Sequence, residues 1–192
     1  MTGAALLVLF AAQPMLAQTS TQTTPGTQRQ DMTDQGARNV DAATKDFIRK
    51  AWNIDNFELR AGQHALNKTN NQAIRDYATM IVADHNNAEA ELKPIVDAVG
   101  MTMLTAPGSL DEEHQSKLDK LGGLNGAQFD EQFRQQQIDG HERALTLFRD
   151  YAKNGMNAEL KNWAQRSVSM LERHLDQAKA LPRGTEKGAS AD

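Results

Sequence analysis

Between residues 74 and 99, apolar residues recur at alternating steps of four and three residues, with one exception. These steps are the spacing of one face of an α-helix. A half-buried strand would instead alternate apolar and polar residues, and the sequence shows no useful length of that pattern. The segment therefore predicts a buried helical face, in which His85 is the one residue that is not apolar. The face consists of Ile74, Ala78, Ile81, His85, Ala88, Leu92, Ile95 and Val99.

Three other segments have the same spacing, and each has one ionisable residue among its apolar positions. The ionisable residues are Glu58 in the first segment, His141 in the third and His174 in the fourth. Four amphipathic segments of this length are enough to build a helical core. The predicted helices span about 42–67, 71–99, 127–153 and 157–180.

The second and third predicted helices are separated by a long connection, residues 101–125. Pro107-Gly108 and Gly122-Gly123 interrupt it, and a short helix is predicted between them, over about 110–121. A connection of this length is typical of a crossover along a bundle rather than a tight turn. The fold predicted is all-α: a ferritin-like four-helix bundle, with two antiparallel helix pairs joined by a long crossover that contains a short helix.

The two ends of the chain differ in composition from this helical part. Residues 4–12 form an apolar run that is too short to span a bilayer and typical of a secretory signal peptide, which we predict at residues 1–17. Residues 18–40 are rich in Thr, Gln and Gly and predict a disordered linker, and residues 182–192 predict a disordered tail. The folded domain is therefore expected at residues 41–181, in an exported, periplasmic protein.

Composition excludes several classes of function. The chain has no cysteine, which excludes disulfides, thiolate catalysis and cysteine-based zinc sites. Its 21 basic and 25 acidic residues are well mixed, so no nucleic-acid partner is expected. No phosphate-binding loop or catalytic motif occurs. We therefore expect no catalytic residues and no transmembrane helix in the mature chain, whereas self-association is left open.

One ionisable side chain on each of four buried faces predicts a metal site. An unpaired charge in a helical core is costly, and inward-facing Glu and His residues are how helical bundles build metal centres. The donor set suits iron, manganese, zinc or copper. The predicted ligands are Glu58, His85, His141 and His174. The residues predicted to orient them from behind are Asp84, Glu89, Asp139 and Glu142.

A metal-free alternative fits the same pattern. Glu58 and the histidines can satisfy one another as a buried hydrogen-bonded network. Counting from the predicted helix ends also puts Glu58 and His85 at different depths, with a stagger of about 7 Å at 1.5 Å per residue. A di-iron oxidoreductase is a weaker alternative, because the Glu-x-x-His pairs of such bundles are missing.

Several short motifs resemble those of a known family. Residues 78–85, ATMIVADH, resemble its A-x-x-M-V-x-D-H segment, and residues 126–130, GAQFD, resemble its G-x-x-F-D motif. Residues 171–175, LERHL, resemble its closing L-x-x-H-L motif, while His141 and Glu58 match its central histidine and its acidic position. Together the motifs cover residues 46–181. The family is the bacterial domain-of-unknown-function family 4142.

This resemblance implies a ferritin-like bundle, a periplasmic or outer-membrane-associated location and no established activity. Because no β-barrel pattern and no lipobox cysteine occur in the sequence, any envelope association is expected to be peripheral. Two hypotheses follow. The first is an exported helical protein that binds a transition metal; the second is a non-enzymatic envelope or stress-related interaction module with a metal-free Glu/His network.

Overall fold

The computed structural model describes residues 40–101 and 110–184, which contain five α-helices and, within those ranges, no strand. The predicted leader, most of the predicted linker, residues 102–109 of the connection and the tail from residue 185 lie outside the described residues. The all-helical prediction is confirmed. The helices are α1 (Ala42–Lys68), α2 (Gln72–Ala98), α3 (Glu112–Gly122), α4 (Gly126–Asn154) and α5 (Ala158–Ala180).

Side-chain caps explain where four of the five helices begin. Asp41, Asn71, Asp111 and Asn157 each accept a hydrogen bond from a backbone N–H in the first turn of the helix that follows. Each such cap stabilises a helix by about 1 kcal/mol. After α2 the backbone of Gly100 adopts φ +70°, a conformation that glycine accepts without strain. The helix ends are therefore encoded locally.

The predicted face of α2 is buried over most of the helix, but the buried position shifts by one residue near the C-terminal end. Val96 is fully buried, whereas Ile95 and Val99 are only half-buried. A strict seven-residue repeat lags behind an α-helix by about 20° per heptad, so the buried position moves by one residue after three heptads. The helix continues through Pro94, which is exposed.

The long helices pack in two sequential pairs, α1 with α2 and α4 with α5. Contacts between α1 and α4 and between α2 and α5 join the pairs. At one end Thr44 Oγ1 lies 2.8 Å from the Tyr151 hydroxyl, and at the other Lys68 Nζ donates at 3.1 Å to the carbonyl of Leu124, just before α4. Because these contacts join opposite ends of the two helices, α1 and α4 run in opposite directions.

The short helix α3 covers the outer side of α1 and also contacts α4. Its Leu118 and Leu121 are buried in the core. Its start is fixed by Asn53 of α1, whose side-chain oxygen accepts the Asp111 N–H at 2.7 Å. The predicted short helix in the connection is therefore confirmed, and it is a packed part of the fold.

The core consists of two apolar clusters at different heights. One includes Phe47, Phe148 and Trp163, and the other includes Phe133 and Ile81. A set of buried polar side chains separates them, which we call the polar layer. It consists of Asp55, Glu58, Tyr77, His85, Gln137, His141 and His174.

Candidate metal centre

Three histidines from three helices converge in the polar layer. His85 lies on α2, His141 on α4 and His174 on α5, and each is at most 1% exposed. One ring nitrogen from each residue lies within 4.8 Å of the other two, a grouping able to hold a metal ion. Each histidine takes the place of an apolar residue on the buried face of its helix, which is why all three point to the same interior.

The outer nitrogen of His141 is held by its own helix. Nδ1 lies 2.8 Å from the Gln137 carbonyl oxygen, which can only accept, so Nδ1 carries the proton. The remaining nitrogen, Nε2, is therefore unprotonated in the neutral ring. It lies 3.2 Å from Nδ1 of His174.

The outer nitrogen of His174 faces a carboxylate on α2. Nε2 lies 2.9 Å from Asp84 Oδ2, an oxygen that also accepts from Arg173 at 2.7 Å. Burial raises the pKa of Asp84, but the hydrogen bonds from His174 and Arg173 outweigh it and hold the pKa below its ordinary value. Asp84 is therefore ionised and can only accept a hydrogen bond. The proton of His174 accordingly lies on Nε2, which donates to Asp84 Oδ2.

This assignment leaves two unprotonated nitrogens facing each other. Burial lowers the pKa of His141 to about 3 and that of His174 to about 4, so neither ring carries a second proton at neutral pH. With the proton of His174 on Nε2, the lone pairs of His174 Nδ1 and His141 Nε2 oppose each other across 3.2 Å. Two imidazole ligands of a tetrahedral zinc ion are about 3.3 Å apart, given Zn–N distances of about 2.0–2.1 Å.

The third histidine is oriented by a buried carboxylate on α1. His85 Nδ1 lies 2.7 Å from Asp55 Oδ1, and both side chains are almost fully buried. Burial lowers the pKa of His85, but the hydrogen bond and charge of Asp55 raise it above its ordinary value. The inner nitrogen, Nε2, is buried without a hydrogen-bond partner. All three rings thus have an acceptor behind them and a free nitrogen in front.

Glu58, the fourth predicted ligand, is buried but does not belong to the group of three. Its Oε2 accepts from Gln137 Nε2 at 2.7 Å, and Gln137 Oε1 accepts from the Tyr77 hydroxyl at 2.9 Å. The residue of α1 at the height of His85 is Asp55, about one helical turn before Glu58. The stagger expected from the sequence is therefore present between Glu58 and His85.

The four residues predicted to orient the ligands have different surroundings. Asp84 binds His174 as described. Asp139 accepts from Gln135, and Glu142 pairs with Lys179, both at the surface. Glu89 lies half-buried on α2, where burial and then the charge of Asp55 raise its pKa.

Asp55 is the site residue that the sequence analysis missed. The signal for it was the spacing of four, three and four residues through Ala51, Asp55, Glu58 and Gly62, all of which are buried. The buried face of α1 predicted from the sequence runs instead through Phe47, Ala51, Ile54 and Glu58, beside this stripe. The carboxylate went unnoticed because Ile54, its neighbour, fitted the apolar pattern.

The donor set of the cluster is three imidazoles, of which His141 and His174 are neutral, with carboxylates behind two of the three. Imidazole nitrogen suits zinc, copper, iron and nickel, whereas magnesium and calcium require oxygen ligands. A carboxylate behind a ligating histidine fixes its tautomer and makes it a stronger ligand. Three histidines would leave a fourth coordination position for water or another small ligand.

None of the helices in residues 40–101 and 110–184 has the length and apolar character needed to cross a membrane. A family model described as "Domain of unknown function (DUF4142)" matches residues 13–181, most of the chain. Comparison with curated proteins and with solved structures found no match.

Proposed function

The chain belongs to the DUF4142 domain family, and we propose that it binds one divalent transition-metal ion through His85, His141 and His174. The observation that carries the proposal is the opposition of His174 Nδ1 and His141 Nε2 at 3.2 Å. Two lone pairs at this distance repel each other, and a cation placed between them turns the repulsion into coordination. His85 Nε2, which has no other partner, supplies a third bond.

The metal-free network explains the same contacts less completely. It leaves His85 Nε2 and Asp55 Oδ2 buried without hydrogen-bond partners. A buried polar atom without a partner costs about 1–3 kcal/mol. A metal ion at the cluster removes the cost at His85 and keeps the bond between its Nδ1 and Asp55. The metal-bound form therefore leaves fewer buried polar atoms without a partner than the metal-free network does.

Zinc and copper are the favoured ions. The proposed ligands are all nitrogen, a set that copper and zinc bind well, and manganese and magnesium prefer oxygen ligands. Copper(II) binds more tightly than zinc to most such sites, so availability would decide which ion occupies it. The proposed role is binding, sensing or storage of the ion.

The proposed frame for this site is a ferritin-like four-helix bundle in which α3 lies in the crossover between two helix pairs. The pairing of α1 with α2 and of α4 with α5, together with the opposite directions of α1 and α4, supports it. In such bundles metal ligands project inward from several helices to one height. Ligands on three different helices fit that plan.

The proposed location is the periplasm. The apolar run at residues 4–12, followed by Met15-Leu16-Ala17, supports export and cleavage after residue 17. Mass spectrometry of the chain recovered from a periplasmic fraction tests this, with a mature chain beginning at residue 18 as the expected result. An uncleaved chain in the cytoplasm would contradict it.

The metal proposal is tested by calorimetric titration of the full chain, stripped with a chelator, with Zn²⁺ and with Cu²⁺. We expect one ion per chain and a Kd for Zn²⁺ below about 1 μM. His141→Ala should raise that Kd at least about 100-fold, because a ligand is lost.

His64 provides the matched control, since it is a partly exposed histidine on α1 outside the cluster. His64→Ala should leave the Kd and the stoichiometry unchanged. Equal binding by the native chain and His141→Ala would overturn the proposal and leave the metal-free network as the explanation of the cluster.

A further inference from the structure

A cavity of about 410 Å³ lies between α1, α3 and α4, on the side of α1 that the short helix covers. Its volume is within the range of about 300–1,000 Å³ typical of small-molecule sites. Ile54, Phe57 and Leu147 provide apolar surface in its wall. Phe57 is itself packed against His114, with ring centroids 5.4 Å apart.

Glu58 lines this cavity although it is only 2% exposed. Gly140 lies opposite its Oε1, where a Cβ atom would come to 3.5 Å, so the absence of a side chain leaves room around that oxygen. Glu58 Oε2 accepts one hydrogen bond, from Gln137. Among the described residues Glu58 has no ion-pair partner.

The other charged residues of the cavity are already paired. Asp111 pairs with His114 at 2.7 Å. Glu113 pairs with Lys117 at 2.7 Å and with Arg143 at 2.6 Å. Each of these side chains thus has an ion-pair partner, with Lys117 and Arg143 sharing Glu113, whereas the carboxyl of Glu58 has none among the described residues.

Two cations that line the same cavity, Arg49 and Lys50, share a single acid outside it. Both side chains bind Asp46, at 2.5 and 2.7 Å. They are about half exposed, so neither is held inside the cavity. Their charges therefore do not substitute for a partner of Glu58.

A second acceptor in the cavity wall also lacks a donor. Gln136 is 7% exposed, and its Nε2 donates to the Lys117 carbonyl at 3.1 Å. Its Oε1 is buried without a hydrogen-bond partner. Because that oxygen is fully buried, the acceptor that faces an occupant is the carboxyl of Glu58, and the occupant that suits it is a hydrogen-bond donor.

From this geometry we propose that the cavity binds a small organic amine, with its apolar body against Ile54, Phe57 and Leu147 and its ammonium group on Glu58. An ammonium group has donors and no acceptor, which matches the carboxyl oxygens of Glu58. It also supplies the positive charge that a buried carboxylate requires. Burial raises the pKa of Glu58 to about 7, although the charge of His85 and the hydrogen bond from Gln137 act to lower it.

Other occupants match less well. A carboxylate ligand would face Glu58, with Asp55 behind it, and meet like charge. A neutral alcohol can donate one hydrogen bond but brings no charge to the carboxylate. The amine site and the histidine cluster share no residue, so either can be present without the other.

The experiment compares three probes that share one ring: benzylamine, benzyl alcohol and benzoate. Each is titrated into the full chain and followed by calorimetry and by NMR shifts of the ligand. We expect saturable one-to-one binding of benzylamine, at least about tenfold tighter than of the alcohol or of benzoate. Glu58→Gln should weaken benzylamine binding at least about tenfold, because the charge is lost while the shape is kept.

Two further variants make the result decisive. Leu147→Trp fills the cavity without touching Glu58 and should abolish benzylamine binding, even if Glu58→Gln fails to fold. Asp139→Asn removes a surface carboxylate on α4 and should change nothing. The proposal is overturned by tighter binding of benzoate, by unchanged binding in both cavity variants, or by no saturation with benzylamine up to about 10 mM.

Discussion

Two regions meet at the polar layer, the histidine cluster and the cavity at Glu58. The histidines and Glu58 are all buried, but the two regions differ in how their polar atoms are paired. In the histidine cluster every ring has an acceptor behind it, and the three free nitrogens point to one place. In the Glu58 cavity one carboxyl receives a single amide hydrogen bond and otherwise faces open space. The cluster has the geometry for a metal ion, whereas the cavity has the room and the apolar wall for an organic cation.

Burial acts on the two regions in opposite directions on the pKa scale. It lowers the pKa of His141 to about 3 and raises that of Glu58 to about 7. In each case burial disfavours the charged form. The consequence for ligands differs. His141 and His174 are neutral and can bind a metal at neutral pH, whereas Glu58 must give up a proton before it can pair with an amine.

The largest expected effect tests whether the cluster is held together by its carboxylates. Asp55→Ala removes the partner of His85 Nδ1 and should lower the free energy of unfolding of the metal-free chain by about 3–5 kcal/mol, the usual cost of breaking a buried pair. Urea unfolding followed by circular dichroism measures it. Asp55→Asn, which keeps an acceptor, should lose clearly less. A loss below about 1 kcal/mol for Asp55→Ala would show that the pair does not support the cluster.

The next effect concerns the pH dependence that Glu58 imposes. Its carboxyl keeps its proton in the folded chain up to a pKa of about 7, against 4.5 for the free side chain. The native chain should therefore lose stability as pH rises from 4.5 to about 7, by about 3 kcal/mol in all. Below 4.5 this contribution is fully present.

Glu58→Gln cannot ionise, so its stability relative to the native chain should increase by the same amount between pH 4 and pH 8. Urea unfolding at a series of pH values checks the difference. Gln137 can still donate to the new side chain, so the packing is little altered. Parallel pH curves for the two proteins would mean that Glu58 is ionised in the fold with a partner that satisfies it.

The smallest expected effect concerns Asp84, which orients His174 and is not itself a proposed metal ligand. Asp84→Ala removes the acceptor behind His174 and should weaken Zn²⁺ binding by about 10- to 100-fold, the usual effect of such a residue. Arg173→Ala breaks the Arg173–Asp84 pair at the surface but leaves the bond to His174, so its Zn²⁺ affinity should stay within about twofold of native. Equal losses in the two variants would attribute the effect to the surface pair.

The sequence predicted the helices well because their determinants are local. Apolar spacing predicted the buried faces of the long helices, and side-chain caps such as Asn71 and Asp111 act within the first turn of their own helices. The three histidines were identified for the same reason, since each interrupts an apolar face. Periodicity of this kind depends only on neighbours along one helix.

Other features of the site depend on how far one helix is shifted against another. Asp55 and Glu58 both face inward from α1, three residues apart, and the sequence could not tell which of them meets His85. A shift of one turn exchanges the two. Packing of α1 against α2 and α4 fixes that shift, and it places Asp55 behind the cluster and Glu58 at the cavity.

The sequence by itself therefore determined that the folded part is helical, which faces are buried and that each of these faces carries one ionisable residue. Only the tertiary structure decided that three histidines form one group, that two aspartates orient them, and that Glu58 faces a separate cavity beneath α3. The physical reason is that a side chain's direction is set by its own helix. Its height relative to other helices, and hence its partner, is set by the packing of the whole core.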